Sequence, residues 1–580
     1  MRRFIDSHAA WGLLLVAGLA FPWVTGNDYH LTVMSTAYIF AIATLGLNLI
    51  SGYTGQLNLA HAGFMAVGAY TVGILTVDHG WTFWGALALS GAVCAALGYF
   101  VGIVSLRLKG HYFSIFTLCV GYIMFLVIEK WEGLTHGTVG IMGIPAPESI
   151  GALAFESPLA LYYLTLAFLV LAVWVMRRIV KSLLGRTFIA IRNGDELAEA
   201  LGINLMHNKV LAFQLSICYA GLAGGLYAGF VRFIGPDVAS VEHTFDMMIF
   251  MLVGGLGTVL GPLLGALAMP WLTQSLQFLQ EYRFIVFGPI LVALVIFLPH
   301  GVVGSFLAWQ ARRDAKEASG SPPRCCWPWP GLSSLAAMRM RFGGLLAVDG
   351  VAFEVKDREI FAIIGPNGAG KTTVFNCISG FYRPSSGRIS LQGQNLAGLG
   401  SHTVAQHGLV RTFQNVRLFK HMTALENLLV AQHRHLHTGL LSGLFKTRSY
   451  RESEQKALDN ALHWLDYMGL REFTNREAGH LAYGHQRRLE IARCMVTQPR
   501  MLMLDEPAAG LNPQEKKDLQ SLIEQLRQQY GVAVLLIEHD MRLVMGVSER
   551  ILVMEHGRPI ALGTPEAVRN DERVIKAYLG

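Results

Sequence analysis

The stretch Gly365-Pro366-Asn367-Gly368-Ala369-Gly370-Lys371-Thr372 has the spacing G-x-x-x-x-G-K-[ST], follows the apolar run Ile360 to Ile364 and precedes a predicted helix from Thr373 onward. A phosphate-binding loop needs this context. Its glycines let backbone N–H groups curl round phosphate oxygens, and the following helix N-terminus adds partial positive charge. Lys371 then reaches the β- and γ-phosphates of ATP, and the Thr372 hydroxyl ligates Mg²⁺. A second element, Met501-Leu502-Met503-Leu504-Asp505-Glu506, is an apolar strand ending in two carboxylates. Asp505 is suited to hold Mg²⁺, directly or through water, and Glu506 to polarise the attacking water. Alone, such a pair is an ordinary solvated strand end; with the phosphate loop it points to metal-assisted phosphoryl transfer.

These residues need strands and helices to hold them. Ile360 to Ile364, Met501 to Leu504 and Val532 to Ile537 read as buried strands, and helical stretches with charged faces, such as Gln514 to Gln529, lie between them. The pattern predicts an α/β domain with a partly parallel sheet and crossover helices over 336–580.

The rest of the chain is different. It has 580 residues, 52% hydrophobic and 15% charged, against about 25% charged in soluble domains. Apolar runs of spanning length recur at roughly 9–25, 31–50, 57–76, 83–106, 111–128, 159–176, 209–230, 245–261, 263–281 and 284–304. Residues 1–304 therefore read as an α-helical integral membrane domain of about 8–10 spans, the lower count applying if 245–281 is one re-entrant hairpin. The N-terminal run reads as a first span, not a cleaved signal, because another long apolar run follows at once. Arg2 and Arg3, Arg107 and Lys109, the basic residues between Arg177 and Arg192, and Arg312, Arg313 and Lys316 all fall on one side, the cytoplasm. The acidic segment from Glu129 to Pro158 then faces outward. Residues 305–335, with Ser319-Gly320-Ser321-Pro322-Pro323 and Trp327-Pro328-Trp329-Pro330, read as a linker.

The net charge of +7 is modest, and its basic clusters flank apolar runs, which fits membrane lipid and argues against nucleic acid. Seven cysteines without paired CxxC motifs predict neither a zinc site nor a disulfide framework. Gln56, Asn58 and His61 are polar residues in an apolar setting. They bond between helices or line a substrate path. The long cytoplasmic loop from Lys181 to Asn208, helical from Asp195 to Leu201, is placed to lie across the ATPase.

The soluble half resembles the ATPase domain of ABC transporters. The diagnostic piece is Leu481-Ala482-Tyr483-Gly484-His485-Gln486-Arg487-Arg488, in the position of that family's signature motif. The resemblance implies that Ala482, Tyr483, Gly484 and His485 bind the γ-phosphate of ATP held by an opposite ATPase subunit. Ala482 and His485 depart from the usual serine and glutamine. It also implies that Gln414 senses Mg²⁺ and the γ-phosphate and contacts the permease, that His539 is the switch histidine, and that Phe342 stacks on adenine. Asn512 stands in the D-loop, where aspartate is common. The segments Gly365 to Phe375, Arg411 to Phe419 and Leu504 to Pro513 narrow the resemblance to the ATPases of branched-chain (hydrophobic) amino-acid importers. In the membrane half, Gly52 to Gly63, Gly185-Arg186, Ala190-Ile191-Arg192 and Ala200 to Ile203 are similar to that system's permeases.

The resemblance implies a permease fused to an ABC ATPase in a bacterial inner membrane, with the ATPase in the cytoplasm. Its expected partners are a second permease and a second ATPase, or a second copy of the fusion, and an external solute-binding protein. The rival readings are an importer of urea or short amides, a membrane-anchored regulatory ATPase, and, more weakly, an exporter.

Overall fold

The computed structural model describes residues 8–108, 110–149, 151, 154–275, 333–435 and 440–579. Its contacts divide the chain into two units. One is built on residues up to Arg192 and from Met206 onward, with the short piece Gly443–Phe445. The other joins Asn193–Leu205 to the residues that follow the membrane half.

In the first unit, Asp28–Tyr53, Phe83–Ser105, His111–Lys130, Pro158–Val180 and Leu205–Val231 are long and apolar enough to cross a bilayer, and Trp11–Thr25 and His61–Val77 are shorter apolar helices. Thr82 and Ser157 start two of them by accepting the Gly85 and Ala160 N–H groups. The most apolar window of Asp28–Tyr53 is 83% buried, whereas that of His111–Lys130 is 22% buried. Ile115, Tyr122, Ile123 and Val127 stand exposed on the latter. Such a face is stable against lipid or another helix and costly against water.

Glycine sets the spacing of the inner helices. A Cβ on Gly68 would collide with the backbone of Gly221, and one on Gly224 would collide with the Met65 carbonyl and come within 2.9 Å of Ala69 N. His61–Val77 and Leu205–Val231 therefore pack backbone to backbone, as small-residue contacts allow in membranes.

The span expected at 57–76 begins only at His61, and 54–60 is not helical. Gly55 has φ +74, and the N–H groups that a helix would have used go to side chains. Asn58 N donates to Ser51 Oγ (3.3 Å), Leu59 N to Thr117 Oγ1 (3.1 Å) and Ala62 N to Thr244 Oγ1 (3.1 Å). Upstream, the helix Asp28–Asn48 ends in a π-helical turn, Leu49–Tyr53. The expected runs 245–261 and 263–281 appear as Val241–Gly254 and Leu260–Ser275, packed on each other. The first has 14 residues, about 21 Å at the helical rise and short of a hydrocarbon core of about 30 Å. Ile141–Met142 pairs antiparallel with Phe233–Ile234. The span expected at 284–304 and residues 305–332 of the expected linker lie outside the described residues. A strand, Ser333–Phe342, already begins inside that linker because it pairs with both Leu345–Val355 and Ser386–Leu391.

The second unit has a six-stranded sheet in the order Arg558–Gly563, Arg550–Glu555, Ile360–Ile364, Ala533–Ile537, Met501–Asp505, Leu409–Arg411. All neighbours pair in parallel except the first two. A four-stranded antiparallel sheet carries Ser333–Phe342. The helix expected at 514–529 is Pro513–Tyr530, started by an Asn512–Glu515 capping box. Register places Ile537 opposite both Asp505 and Ile363. The phosphate loop, Asp505-Glu506 and Glu538-His539 therefore leave the sheet at one carboxyl edge, where open α/β sheets bind ligands.

The glycine contact is directly testable. Gly224→Ala overpacks the seam, with an expected cost of about 1–3 kcal/mol. It should lower the melting temperature of the detergent-solubilised protein. Gly12→Ala, which meets no atom within 4 Å, should leave it unchanged or slightly raised.

Candidate active site

The site lies in the second unit. The all-buried strand Ile360–Ile364 delivers the chain to Gly365. Gly365, Gly368 and Gly370 take φ +150, +81 and +92, the left-handed region where side chains are strained. At Gly370 a Cβ would also come within 2.7 Å of Ala347 O. Pro366, Asn367 and Gly368 form the open part of the loop, and Ala369 is buried beneath it. Helix Lys371–Ile378 follows, with Thr372 and Thr373 in its first turn. Lys371 Nζ donates to the carbonyls of Gly365 (2.8 Å) and Pro366 (2.9 Å), which holds the ammonium across the loop. Burial pushes its pKa down, opposed by Glu506 and Asp505.

Three residues expected to act together are joined by hydrogen bonds. Glu506 Oε2 accepts from Gln414 Nε2 at 3.0 Å, and its Oε1 lies 2.9 Å from His539 Nε2. Glu506 sits at φ +45, an uncommon conformation for a side chain with a Cβ. Its N–H is anchored on Ile537 O (2.8 Å). The backbone is thus held in a costly conformation that aims the carboxylate.

Asp505 is 2% exposed. Its Oδ2 accepts from Arg411 Nη2 at 3.1 Å, and Arg411 also donates to Asn376 Oδ1 (2.7 Å) and Ser379 Oγ (2.9 Å). Burial raises the Asp505 pKa against the pull of Arg411. The other oxygen, Oδ1, is buried and has no hydrogen-bond partner. An orphaned carboxylate oxygen is costly unless a cation meets it. Among the described residues no group of three His, Cys, Asp or Glu could form a metal cage. The donors present therefore suit a hard ion that takes few protein oxygens and completes its shell with phosphates and water, as Mg²⁺ does.

The signature segment lies elsewhere. Ala482 is the N-cap of helix Tyr483–Met495 and offers no side-chain cap, so the serine-to-alanine departure costs the helix a hydrogen bond. A Cβ on Gly484 would press on Glu515, and His485 lies against Phe473 with ring centroids 4.8 Å apart. Within one chain, these residues are not grouped with the phosphate loop. Phe342 is 42% exposed, edge-on to Tyr382 at 5.3 Å, and so is open to a stacking ligand.

Three features of the site have no motif of their own. Glu538, beside the predicted His539, accepts the N–H groups of Ala508 (2.7 Å), His539 (2.7 Å) and Asp540 (3.0 Å), tying the Ala508 turn to His539. Arg411 is visible in the Gln414 motif, but its pairing with Asp505 is not. The third is a buried charge cluster. Glu490 accepts from Arg487 (2.9 Å), Phe413 N (3.3 Å) and Arg417 N (3.2 Å), with Arg493 3.8 Å away. Arg487 further donates to the carbonyls of Phe413 and Gln414, both at 2.9 Å. The signature helix thus grips the Gln414 loop. This unit also contains the membrane half's loop: helix Asp195–Ala200 packs on Ser401–Gln406. Glu196 pairs with Arg417, Glu199 lies 3.8 Å from His402, and Gln406 donates to Gly202 O at 3.3 Å.

The profile described as the permease component of a branched-chain amino acid transport system matches residues 29–295. An ABC transporter profile matches 348–509, and that of the branched-chain amino acid ATP-binding cassette transporter matches 558–580. The high-affinity branched-chain amino acid transport ATP-binding protein BraF of Pseudomonas aeruginosa is 62% identical over 246 residues, 42% of this chain and 96% of that protein. The chain belongs to the branched-chain amino-acid ABC transporter family. The permease protein LivM of Salmonella typhimurium is 29% identical over 312 residues, 50% of this chain and 73% of that protein. A solved ATP-binding cassette of an ABC transporter, in its ADP conformation, covers 43% of this chain at 31% identity with TM-score 0.38. One chain of this family thus joins a permease to a nucleotide-binding ABC cassette that couples ATP hydrolysis to transport, and it is embedded in a membrane. The matches favour neither the urea or amide alternative nor the anchored regulatory ATPase.

Glu490→Ala would leave Arg487 and Arg493 buried without their carboxylate. The expected loss is about 3–5 kcal/mol of cassette stability. A lowered thermal midpoint with unchanged protein concentration checks it, and Arg488→Ala, on the exposed pair with Asp518, should have little effect.

Proposed function

We propose that this chain is the permease-plus-ATPase component of an importer that takes up branched-chain amino acids at the expense of ATP. The observation that carries the reading is Glu506 held between Gln414 and His539, in a unit that also contains the membrane half's helix Asp195–Ala200. The family supports the substrate, since the relatives matched over both halves are named for branched-chain amino acids.

In this reading Gly365 to Thr373 cradle the phosphates, and Phe342 supports the adenine. Mg²⁺ neutralises phosphate charge when bound, and Thr372, Asp505 Oδ1 and Gln414 are the residues that would hold it. Glu506 orients and deprotonates the attacking water, while Gln414 and His539 fix its two oxygens in place. Lys371 and the loop N–H groups offset the charge that develops on the transferred phosphoryl group. Ala482, Tyr483, Gly484 and His485 serve the site of a second cassette. Closure of the two cassettes moves Gln414 and, through Arg417 and Glu196, the helix Asp195–Ala200. The full assembly then needs a second permease and a second ATPase, or another copy of this fusion, with an extracytoplasmic binding protein delivering the amino acid. The permease sits among the lipids of a bacterial inner membrane, and the cassette faces the cytoplasm.

Glu506→Gln tests this reading. In proteoliposomes containing the complete complex, leucine-loaded binding protein should stimulate the wild-type ATPase. The variant should bind ATP with little change and lose kcat by about 10²–10⁴-fold, the usual contribution of a positioned base. Hydrolysis that survives the substitution would remove Glu506 from this role. Stimulation by urea or a short amide instead of leucine would redirect the substrate.

A further inference from the structure

The membrane unit contains a joint that the transport reading does not assign. Helix Asp28–Asn48 passes into the π turn Leu49–Tyr53, and the chain is then non-helical to residue 60. The last carbonyls of any helix lack intrahelical partners. Here one of them, Gly52 O, receives a hydrogen bond from Arg192 Nη1. The Arg192 side chain lies against two glycines, its tip at Gly257 and its aliphatic stem at Gly55. A Cβ on Gly257 would lie 2.6 Å from Nη1, and one on Gly55 would lie 3.1 Å from the Arg192 Cγ. A Cβ on Gly52 would strike Asn48 Oδ1. Gly55 and Gly257 also have φ +74 and +72, so both the space and the backbone there favour glycine.

Asn48, one turn before Gly52, closes the other side of the joint. Its Nδ2 donates to Thr258 O at 2.8 Å, and its Oδ1 accepts from Gly257 N at 3.0 Å. The π turn, the turn between Val241–Gly254 and Leu260–Ser275, and the Arg192 side chain therefore form one hydrogen-bonded knot. Arg192 is also the last residue of the membrane unit before the chain passes into Asn193–Leu205, which belongs to the cassette unit. Any displacement of that segment reaches Arg192 first, through the backbone. The arginine is still partly open to solvent, so its contact can be broken and remade without unpacking the helices.

We propose that Arg192 is the positioning residue that transmits cassette movement to the break in the membrane helix. With its guanidinium on Gly52 O, it caps the negative end of the helix dipole and holds the π turn. When the attached segment moves, the cap is withdrawn, and 54–60 together with the 255–259 turn is free to take its other arrangement. Discontinuous helices line transporter paths. The proposal rests on the transport reading, and two readouts separate the failure of one from the failure of the other.

The complete complex is reconstituted with wild-type chain, Arg192→Gln or Arg192→Lys, and uptake per ATP hydrolysed is measured. Arg192→Gln should keep basal ATPase activity while uptake per ATP falls roughly tenfold, the scale of a typical coupling free energy. Arg192→Lys, which keeps a charge and a donor, should recover part of it. An unchanged ratio in Arg192→Gln overturns the proposal. If Arg192→Gln does not assemble, Gly257→Ala keeps the arginine but crowds its tip; it should lower the ratio, and an unchanged ratio there is equally fatal. The second readout needs no transported substrate: a spin label on Leu57→Cys, at a position 40% exposed within the break, in a chain whose seven native cysteines are replaced by Ser. ATP should shift its spectrum in the chain with Arg192 and not in Arg192→Gln. Equal shifts in both, or none in either, overturn the proposal. A wild-type complex that shows the label response without amino-acid uptake would count against the substrate reading alone.

Discussion

Glu490 is a carboxylate with no exposure to solvent, and much of the cassette is arranged around it. Burial pushes its pKa up, while Arg493, Arg487 and two backbone N–H groups pull it down. An ion in that position persists only with nearly every lone pair occupied. The partners come from the signature helix and from the Gln414 loop, 73 and 77 residues earlier in the chain. Satisfying one buried charge therefore forces two distant segments into a single geometry. Arg487 then extends that geometry to the Glu506 backbone, whose carbonyl it approaches at 3.4 Å. The Glu506 carboxylate is placed by strand register from one side and by this cluster from the other.

The nucleotide site was legible from sequence because its chemistry is local. A phosphate loop consists of contiguous backbone groups, and Asp505 and Glu506 end a contiguous apolar strand, so spacing alone specified them. The joint action of Gln414, Glu506 and His539 is implied by resemblance, and in the structure their side chains meet through two hydrogen bonds to one carboxylate. Arg411, Glu538 and Glu490 were not legible because their roles depend on pairings across 94, 30 and 77 residues. No local pattern separates a charged residue that will be buried from one that will remain solvated. The membrane half was legible in outline and not in its breaks. Hydropathy puts a span at 57–76, yet hydropathy does not register that Ser51, Thr117 and Thr244 can take over backbone donors and let the chain stay unwound at an apolar depth.

Polar side chains in that region serve the backbone more than one another. His61 Nε2 lies 2.8 Å from Ala43 O, and Asn58 Oδ1 accepts from Ala60 N at 3.0 Å. Of the two readings of these residues, bonding between helices accounts for the His61 contact, since Ala43 lies on Asp28–Asn48, while Asn58 bonds within its own segment. Asn58 Nδ2 and His61 Nδ1 remain buried without partners. The motif that resembles a permease signature is therefore, first, a device for stopping one helix and starting the next.

The cassette fold also borrows Asn193–Leu205 from within the membrane sequence, and the contacts involved span 204 and 221 residues. On a ribosome this segment emerges long before Arg417 and Gln406 exist. Its acidic face stays unmatched while the later spans are inserted, and contacts of such long sequence separation form late because loop closure must come first. These contacts therefore join an early loop to a late domain only after the later segments exist. Because both belong to one polypeptide, permease and cassette are held at a high effective concentration set by the connecting chain, with no search for a free subunit.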